Sequence, residues 1–299
     1  MIIFAVDAGG TKARFAAYDQ DGIVLHEFEH ASCHPLQVGF KIMAQRLAQG
    51  IQQLMENVNQ KPDVLSFGLA GYGQNASIRA SIERVIHTTF KDYKTIIHND
   101  VECALKASLQ SADGIMVVAG TGSIALRSLN HTQVRSGGWG SQIGDEGSAF
   151  WMGRYVLSIF SQMADGRLPK TELYDLVMET LVLDEPTDII VHLNDHPHPK
   201  EATASLARIA YLAYQKGDKQ CIQIFEDAAF ELAKLVRCLH YESPSTIPVK
   251  CTGGVFEAKE AILKPLKHLL GKEYTVELSQ NPPIYGAYLF AKQALGEME

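Results

Sequence analysis

The sequence of 299 residues lacks clustered cysteines, because its five cysteines are scattered singly along the chain. Their number is odd, and no two of them form a C-x-x-C pair. Disulfide frameworks need an even set of cysteines and structural zinc sites need closely spaced ligands, so we expect neither. Unpaired thiols of this kind are typical of proteins that work in a reducing compartment.

The sequence also lacks a long hydrophobic run and an excess of basic residues. The apolar stretch at 1–6 is too short to span a membrane, and no basic region precedes it as in a signal peptide. There are 27 Lys and Arg against 34 Asp and Glu, which gives a formal net charge of −7. A nucleic-acid partner would demand a basic face. We therefore expect a cytoplasmic protein with neither nucleic acid nor a membrane as its partner.

Two common nucleotide-binding signatures are missing as well. No G-x-x-x-x-G-K-[ST] loop is present, because Gly271-Lys272 lacks both the upstream glycine and the following Ser or Thr. No G-x-G-x-x-G opens a helix after the first strand, and Gly71-Tyr72-Gly73 lacks the third glycine. The sequence therefore disfavours a P-loop enzyme and a dinucleotide-binding enzyme.

What the sequence does contain is a strand, a glycine turn and a second strand at its start. The segment 1–6 predicts a buried strand, Asp7 follows its end, and a second strand is expected over 13–18. Gly9 and Gly10 lie between them, where glycine permits a positive φ and lets another group approach the main-chain N–H groups. A carboxylate beside such a turn predicts a hydrated Mg²⁺ that is bound together with a substrate's phosphates. A tight hairpin with a surface aspartate is the alternative.

A second copy of this arrangement favours the phosphate interpretation. Residues 114–126 again run from an apolar strand through Gly120-Thr121-Gly122 into a new strand. In each half the opening strands are followed by helices and strands in alternation, which is an α/β pattern. We therefore predict two related lobes that hold one polyphosphate between them.

Three further segments are candidates for ligand binding. Asp100 is predicted at the carboxyl end of a strand, where open α/β sheets bind ligands, and it would serve as a helix N-cap or as a general base. Asp145 and Glu146 lie with Trp139 in a glycine-dense, flexible loop that suits a polyhydroxylated ligand. The alternative is that the two acids only favour the start of a helix. Gly253-Gly254 joins a strand to a helix, either as a nucleotide contact or as a close turn.

Taken in order, these motifs resemble the BadF/BadG/BcrA/BcrD ATPase family, and within it the N-acetylglucosamine kinase branch of the sugar kinase/Hsp70/actin superfamily. The resemblance spans nearly the whole chain, and its most discriminating part is G-W-G followed by G-D-E-G-S-A. The segments that carry it are 7–11, 99–100, 120–123, 138–148 and 252–254.

The resemblance implies an α/β fold with two actin-like, ribonuclease H-like lobes and a cleft between them. The N-terminal lobe would comprise 1–110, with a closing helix over 283–299 that packs back on it. The C-terminal lobe would comprise 111–282, with a helical insert at about 165–217. The resemblance also implies ATP and Mg²⁺ as cofactors, a small sugar as the second substrate, and a homodimer.

The resemblance further implies a role for each matched residue. Asp7 would bind the metal, and Asp100 would be the catalytic base that takes the proton from the sugar 6-hydroxyl. The ATP contacts would be Gly9, Gly10, Thr11, Lys12, Gly120, Thr121, Gly122, Gly253, Gly254 and Ala258. The sugar contacts would be His34, Asp100, Ser123, Gly138, Trp139, Gly140 and Asp145.

His34 is a departure from the family pattern, which often has an Asn here that touches the sugar. An imidazole can donate or accept a hydrogen bond, but it lacks the planar amide with which asparagine does both. The predicted function is an ATP-dependent kinase for the 6-hydroxyl of an amino sugar, with N-acetylglucosamine first and glucosamine, N-acetylmuramate or another hexosamine as alternatives. Two rival functions are an ATPase that activates a 2-hydroxyacyl-CoA dehydratase and a nucleotide sensor without turnover.

Overall fold

The computed structural model describes residues 1–73 and 75–296. The chain divides into two compact units, and each contains one five-stranded mixed sheet with helices packed on it. Unit 1 comprises Met1–Ser111 and the described part of Ser279–Glu299, and unit 2 comprises Ala112–Leu278. Within the described ranges, no helix is both long enough and apolar enough to cross a membrane.

Unit 1 starts with three antiparallel strands and continues with alternating helices and strands. Its strands are β1 (Ile2–Ala8), β2 (Lys12–Asp19), β3 (Val24–Ala31), β4 (Val64–Leu69) and β5 (Thr95–Asn99). Its first three helices are α1 (Pro35–Val58), α2 (Ala76–Thr89) and α3 (Asp100–Leu109). Strand β4 is parallel to β1 and β5 is parallel to β4, so the sheet order is β3-β2-β1-β4-β5.

Unit 2 repeats this order and adds a helical insert. Its strands are β6 (Gly114–Ala119), β7 (Ser123–Leu129), β8 (Thr132–Gly137), β9 (Ile247–Thr252) and β10 (Tyr274–Leu278). Its helices are α4 (Ala149–Ala164), α5 (Glu172–Leu181), α6 (Asp188–Asn194), α7 (Pro199–Gln215), α8 (Lys219–Cys238) and α9 (Glu260–Leu270). The sheet order β8-β7-β6-β9-β10 matches that of unit 1 strand for strand, which confirms the predicted structural repeat.

The last helix, α10 (Pro283–Ala294), packs within unit 1 against α3, β1 and β4. Its buried side chains join those of Ile3 and Ala5 in one apolar core. A Cβ added to Gly286 would overlap the carbonyl oxygen of Cys103, so the backbones of α10 and α3 are in contact there. The predicted closing helix over 283–299 thus ends at Ala294, and its last three positions lie outside the described residues.

The alternation of side chains along β1 decides what the end of this strand presents. Phe4, Val6 and Ala8 face the core formed with α1 and α2, whereas Ile3 and Ala5 face α3 and α10. Because successive residues of a strand point to opposite faces, Asp7 continues the second series. The strand was predicted to end at Val6, but its ladder continues through Asp7, which pairs with Arg14 of β2.

Two helix starts in unit 2 position residues of the site. Helix α7 begins at Pro199, because proline is well suited to the first turn of a helix. Helix α9 begins at Glu260, after a short 3₁₀ turn at Gly254–Ala258. The start of α7 places Lys200 in the first turn of that helix.

Candidate active site

Asp7 and Asp100 stand at the same edge of the unit 1 sheet. Asp7 pairs in register with Gly68 of β4, and Gly68 pairs in register with His98 of β5. In-register residues of parallel strands point to the same face, so Asp7 faces α3, whose first residue is Asp100. A Cβ on Gly68 would lie 2.8 Å from Sγ of Cys103 in α3. Glycine at this position therefore lets α3 approach the sheet, and the two carboxylates interact electrostatically.

Both carboxyl groups hold a proton more tightly than a free aspartate does. Burial and the negative charge of Asp100 raise the pKa of Asp7 to about 7, against the opposing charges of Arg14 and Lys12. Burial raises the pKa of Asp100 to about 6. The backbone N–H groups that donate hydrogen bonds to its carboxylate oppose this and lower the pKa. A general base works best when its pKa lies near the operating pH. The pKa of Asp100 therefore suits a base that is mostly ionised at neutral pH.

The same carboxylates fit a magnesium ion. The nearest cations, Lys12 and Arg14, are engaged by Glu29 at 2.6 and 2.7 Å, so they compensate Asp7 only in part. Mg²⁺ prefers oxygen ligands, retains several waters and commonly binds through one or two carboxylates and a substrate's phosphates. In the part of the chain that the structure describes, no group of three or more His, Cys, Asp or Glu residues could hold a metal. Asp7 therefore fits a metal ion that binds together with phosphates.

Asp100 is not the N-cap of α3, although the sequence allowed that role. Asn99 is the cap, because its side chain accepts the Val101 N–H at 3.0 Å and Glu102 accepts the Asn99 N–H at 3.1 Å in a capping box. Asp100 is the first helical residue, and its Oδ1 shares the same Val101 N–H at 3.0 Å. The capping alternative therefore does not account for the carboxylate of Asp100.

The glycines of the predicted phosphate turns border open space. Neither Gly9 nor Gly10 has a positive φ, so this turn does not use the left-handed region that glycine permits. A Cβ on Gly9 or Gly10 would meet its nearest neighbour at 3.7 or 3.8 Å, and one on Gly120 or Gly254 would meet nothing within 4 Å. Internal packing therefore does not require glycine at these four positions. An open face beside main-chain N–H groups is what the binding of a phosphate needs.

The side chains beside these turns differ in their accessibility. Thr11 and Lys12 are exposed at the end of the unit 1 turn, whereas Thr121 is half-buried in the unit 2 turn. Gly253 differs from the open glycines, because it has a φ of 108° and a Cβ there would overlap the carbonyl oxygen of Ala119. Close packing in unit 2 therefore explains why residue 253 is glycine, which agrees with the close turn that the sequence offered as an alternative to a nucleotide contact.

Asp145 lies in the loop between β8 and α4 and is buried in unit 2, although the sequence predicted it in a flexible loop open to a ligand. Its side chain is 5% exposed and its Oδ2 accepts from Nζ of Lys200 at 3.3 Å. Its Oδ1 lies 3.5 Å from the backbone nitrogen of Ser123, and a Cβ on Gly122 would come within 2.7 Å of its Oδ2. Its φ of 60° is in the left-handed region, which aspartate tolerates better than most residues. Neighbouring residues therefore fix the position of this carboxylate.

The other predicted sugar contacts of unit 2 differ in how accessible they are. Ser123 is buried, and its hydroxyl donates to a loop carbonyl at 2.7 Å. Trp139 is 63% exposed, with the guanidinium of Arg135 at 4.8 Å over its ring. Gly138 and Gly140 have φ values of 72° and 87°, so the backbone on both sides of the tryptophan needs glycine. Trp139 is thus the most accessible side chain of this predicted set in unit 2.

A cavity of about 430 Å³ lies within unit 2. Two of the predicted nucleotide contacts, Gly254 and Ala258, are part of its wall. Its apolar lining comes mainly from α4, α7 and the 3₁₀ turn at Gly254–Ala258, with Arg208 and Glu257 as charged neighbours. A concave, mostly apolar site with a few polar groups is typical of small-molecule binding. The cavity therefore has the form of a small-molecule site.

His34 precedes α1 in unit 1 and acts as its N-cap. Its Nδ1 accepts the N–H of Leu36 at 3.2 Å, so the neutral ring carries its proton on Nε2. Nε2 lies 3.6 Å from the position that a Cβ on Gly71 would take. In this tautomer the outer nitrogen of His34 is a hydrogen-bond donor, whereas an asparagine would offer both a donor and an acceptor.

Sequence reasoning missed Ser32, Gln37 and Lys200. The hydroxyl of Ser32 donates to Oε1 of Gln37 at 2.9 Å and lies 3.4 Å from the carbonyl oxygen of Gly9. Lys200 reaches Asp145 from the first turn of α7. Ser32 and Gly9 are 23 positions apart in the sequence, and Lys200 and Asp145 are 55 positions apart. No local sequence pattern predicts contacts over such distances.

Two units with the same five-strand order, each built around a hairpin with a glycine turn, define the class of protein: an α/β fold of the actin-like type. A solved structure with this fold is that of a putative N-acetylglucosamine kinase from Chromobacterium violaceum. It superimposes with a TM-score of 0.79 at 21% identity, over 96% of this chain and 98% of that one. The predicted fold class is confirmed.

The chain belongs to the BadF/BadG/BcrA/BcrD ATPase family, whose model matches residues 5–291, and this confirms the predicted family. One curated relative is an N-acetylmuramic acid/N-acetylglucosamine kinase from Clostridium acetobutylicum, which is 26% identical over 97% of this chain and 98% of its own length. Another is an N-acetyl-D-glucosamine kinase from Dictyostelium discoideum, which is 28% identical over 91% of both chains.

Proposed function

We propose that the protein is an ATP-dependent kinase that phosphorylates the 6-hydroxyl of an amino sugar, with N-acetylglucosamine as the first choice. The observation that carries this proposal is the pair of Asp7 and Asp100 beside the open glycine turn of unit 1. One carboxylate fits a metal ion that binds with phosphates, and the other has a pKa that suits a base. Membership of the ATPase family and the activities of the two kinases named above support the same reaction.

In the proposed reaction, Asp100 accepts the proton of the sugar 6-hydroxyl while the oxygen attacks the terminal phosphorus of ATP. A bond forms between that oxygen and the phosphorus, the bond from the phosphorus to the bridging oxygen breaks, and ADP leaves with the electron pair. Phosphoryl transfer of this kind depends on positioning and on charge neutralisation. Mg²⁺ held at Asp7 would neutralise charge on the phosphates when it is bound.

For the nucleotide we propose two sets of contacts in unit 2 and one in unit 1. The cavity at Gly254 and Ala258 would take the base, because its lining is mostly apolar. The turn at Gly120–Gly122, with Thr121, would contact phosphates through its main-chain N–H groups, as would the turn from Gly9 to Lys12 in unit 1. The open space beside Gly9, Gly10 and Gly120 supports this assignment.

For the sugar we propose that Trp139 offers an apolar face and that Asp145 accepts hydroxyl hydrogen bonds, with Ser123, Gly138 and Gly140 shaping the loop. His34 would contribute an N–H donor from unit 1. Because Asp145 already accepts from Lys200, a sugar hydroxyl would add to this ion pair or replace it. N-acetylglucosamine, glucosamine, N-acetylmuramate and other hexosamines remain the candidate substrates.

We also propose a homodimer in the cytoplasm, where ATP is available to the enzyme. Size-exclusion chromatography with light scattering tests the first part of this statement, and cell fractionation tests the second. A monomeric mass across the working concentration range would contradict the dimer.

An ADP-release assay across a panel of hexoses and hexosamines tests the proposed function. We expect a sugar-dependent rate that is highest with an amino sugar, and a ³¹P NMR spectrum of the product that shows a phosphate ester on O6. ADP release without any stimulation by sugars would contradict the proposal. Visible absorbance from an iron–sulfur cluster would instead support the dehydratase activator, although Cys33, Cys103, Cys221 and Cys251 are buried and only Cys238 is exposed.

A further inference from the structure

The side chain of Gln37 lies beside the glycine turn of unit 1. Its Nε2 is 3.8 Å from the position that a Cβ on Gly10 would take, so it borders the space that the missing side chain leaves open. Gln37 lies near the start of α1 and is exposed. None of the roles derived above uses it.

Ser32 determines which end of the Gln37 amide faces the turn. The hydroxyl oxygen of Ser32 accepts the N–H of His34 at 3.1 Å. Its single proton is directed to the Gln37 side chain at 2.9 Å, in preference to the Gly9 carbonyl oxygen at 3.4 Å. An atom that accepts this proton must be the amide oxygen, Oε1. The amide nitrogen, with its two N–H donors, therefore faces Gly10.

The position of the turn indicates which phosphate these donors would meet. Asp100, the proposed base, and Asp7, the proposed metal ligand, belong to the same unit and the same sheet edge as the turn. The base must act beside the phosphorus that is attacked. The phosphate that meets the turn of Gly9 and Gly10 is therefore the terminal one, which is transferred.

We propose that Gln37 is a further catalytic residue, which donates an amide N–H to the terminal phosphate of the bound nucleotide and is oriented by Ser32. This inference rests on the proposed function. A hydrogen bond to a charged phosphate in a preorganised site stabilises the transferred group as its charge is redistributed. Gln37 thereby distinguishes ATP from ADP, because ADP lacks the phosphate that it contacts.

The test compares the affinities of the full-length protein for AMP-PNP and ADP, each with Mg²⁺, by isothermal titration calorimetry. In Gln37→Leu we expect affinity for AMP-PNP to fall by about tenfold or more, the scale of a hydrogen bond to a charged group, while affinity for ADP stays within about twofold. Gln37→Glu should lose more affinity for AMP-PNP, because it replaces the donor with a negative charge. The matched controls Gln53→Leu and Gln53→Glu alter an exposed glutamine of the same helix and should change neither affinity.

Ser32 supplies a second arm of the test. Ser32→Ala should weaken binding of AMP-PNP but not of ADP, by less than Gln37→Leu does, because the amide stays in place and loses only its orientation. Ser32→Thr keeps the hydroxyl and should restore the affinity for AMP-PNP. A general folding defect would instead weaken the binding of both nucleotides alike and would not be rescued by threonine.

The binding result separates this inference from the proposed function. Equal losses for AMP-PNP and ADP in Gln37→Leu, or no loss for either, would overturn the role of Gln37 even if the wild type phosphorylates an amino sugar. A selective loss for AMP-PNP would support that role even if the wild type shows no sugar-dependent ADP release. In an active wild type we also expect Gln37→Leu to lower kcat by about tenfold with little change in the KM of the sugar.

Discussion

Unit 1 and unit 2 share one strand order, but corresponding positions near the ends of their strands carry different residues. Two residues before the glycine turn, unit 1 has Asp7 and unit 2 has Val118. Directly after the last strand of each sheet come Asp100 and Ser279. The two sheets therefore offer the same scaffold, and the pair of carboxylates at the sheet edge is found in unit 1. The repeat of a fold does not by itself repeat its chemistry.

The two units also differ in where their glycines and acids are used. In unit 1 the turn at Gly9 and Gly10 borders open space beside two interacting carboxylates. In unit 2 the carboxylate of Asp145 fills the space beside Gly122 and accepts from Lys200. Unit 1 thus has a pair of interacting carboxylates beside an open turn, whereas unit 2 has a buried carboxylate paired with Lys200 and a cavity of about 430 Å³.

The largest expected effect comes from Asp100→Asn, which removes the proposed base from unit 1. We expect kcat to fall by roughly 10²–10⁴-fold, because asparagine cannot accept the proton, while nucleotide affinity is retained. Stopped-time ADP assays and nucleotide titrations measure the two quantities. The control Asp92→Asn changes an exposed aspartate of the same unit and should leave kcat intact. Wild-type turnover in Asp100→Asn would contradict the assignment of the base to unit 1.

The next largest effect is expected for Asp7→Val, which gives unit 1 the residue type of unit 2 at this position. Loss of a metal-binding carboxylate should lower kcat by about 10²-fold and raise the Mg²⁺ concentration needed for half-maximal rate. A Mg²⁺ titration of the rate, with thermal unfolding as a check on folding, provides the measurement. An unchanged Mg²⁺ requirement would show that Asp7 does not hold the metal.

The pair Gly122→Ala and Gly120→Ala tests whether packing or a ligand requires each glycine. A methyl group on Gly122 would lie 2.7 Å from Oδ2 of Asp145, so we expect the free energy of unfolding to drop by about 1–3 kcal/mol. A methyl group on Gly120 meets nothing within 4 Å, so stability should hold while the KM for ATP rises. Chemical denaturation and initial-rate kinetics measure both. Equal stability of the two variants would contradict this distinction.

The smallest effect is expected for Lys200→Met in unit 2. Asp145 would lose its cation, and we expect the free energy of unfolding to fall by about 1 kcal/mol, because Lys200 is itself 39% exposed and its charge is partly screened. The KM of the sugar should rise several-fold with an unchanged KM for ATP. Lys216→Met, which breaks an exposed pair with Glu172 at 2.7 Å, is the matched control and should change little. A larger loss in the control would contradict the role of the buried carboxylate.

The family and the repeated fold could be predicted because their signals are local. Apolar strands, glycine turns and alternating helices are visible within short windows, and the order of five motifs identified the family. The capping box of α3 could also be predicted, since Asn99 is followed three residues later by Glu102. The adjacent Asp100 was considered as the N-cap instead. The error was in choosing between two neighbouring side chains as the cap of one helix.

The rest of the candidate site depends on contacts between distant positions. The role of Gly68 follows from its strand neighbours and from Cys103 of α3, and these are known only once the sheet is assembled. The burial of Asp145 follows in the same way from Gly122 and Lys200. The residues next to Asp145 in the sequence do not show whether its carboxylate faces solvent or another part of the chain.

The packing of α10 has a consequence for biosynthesis. Unit 2 is continuous in sequence, whereas unit 1 needs residues from both ends of the chain, because Ile284 and Tyr288 complete the core around Ile3 and Ala5. On the ribosome, the core on one face of the first sheet stays incomplete until the codons of α10 have been translated. The unit that carries Asp7 and Asp100 is therefore begun before unit 2 and finished after it, and a nascent chain that stops before α10 would have a complete unit 2 and an incomplete unit 1.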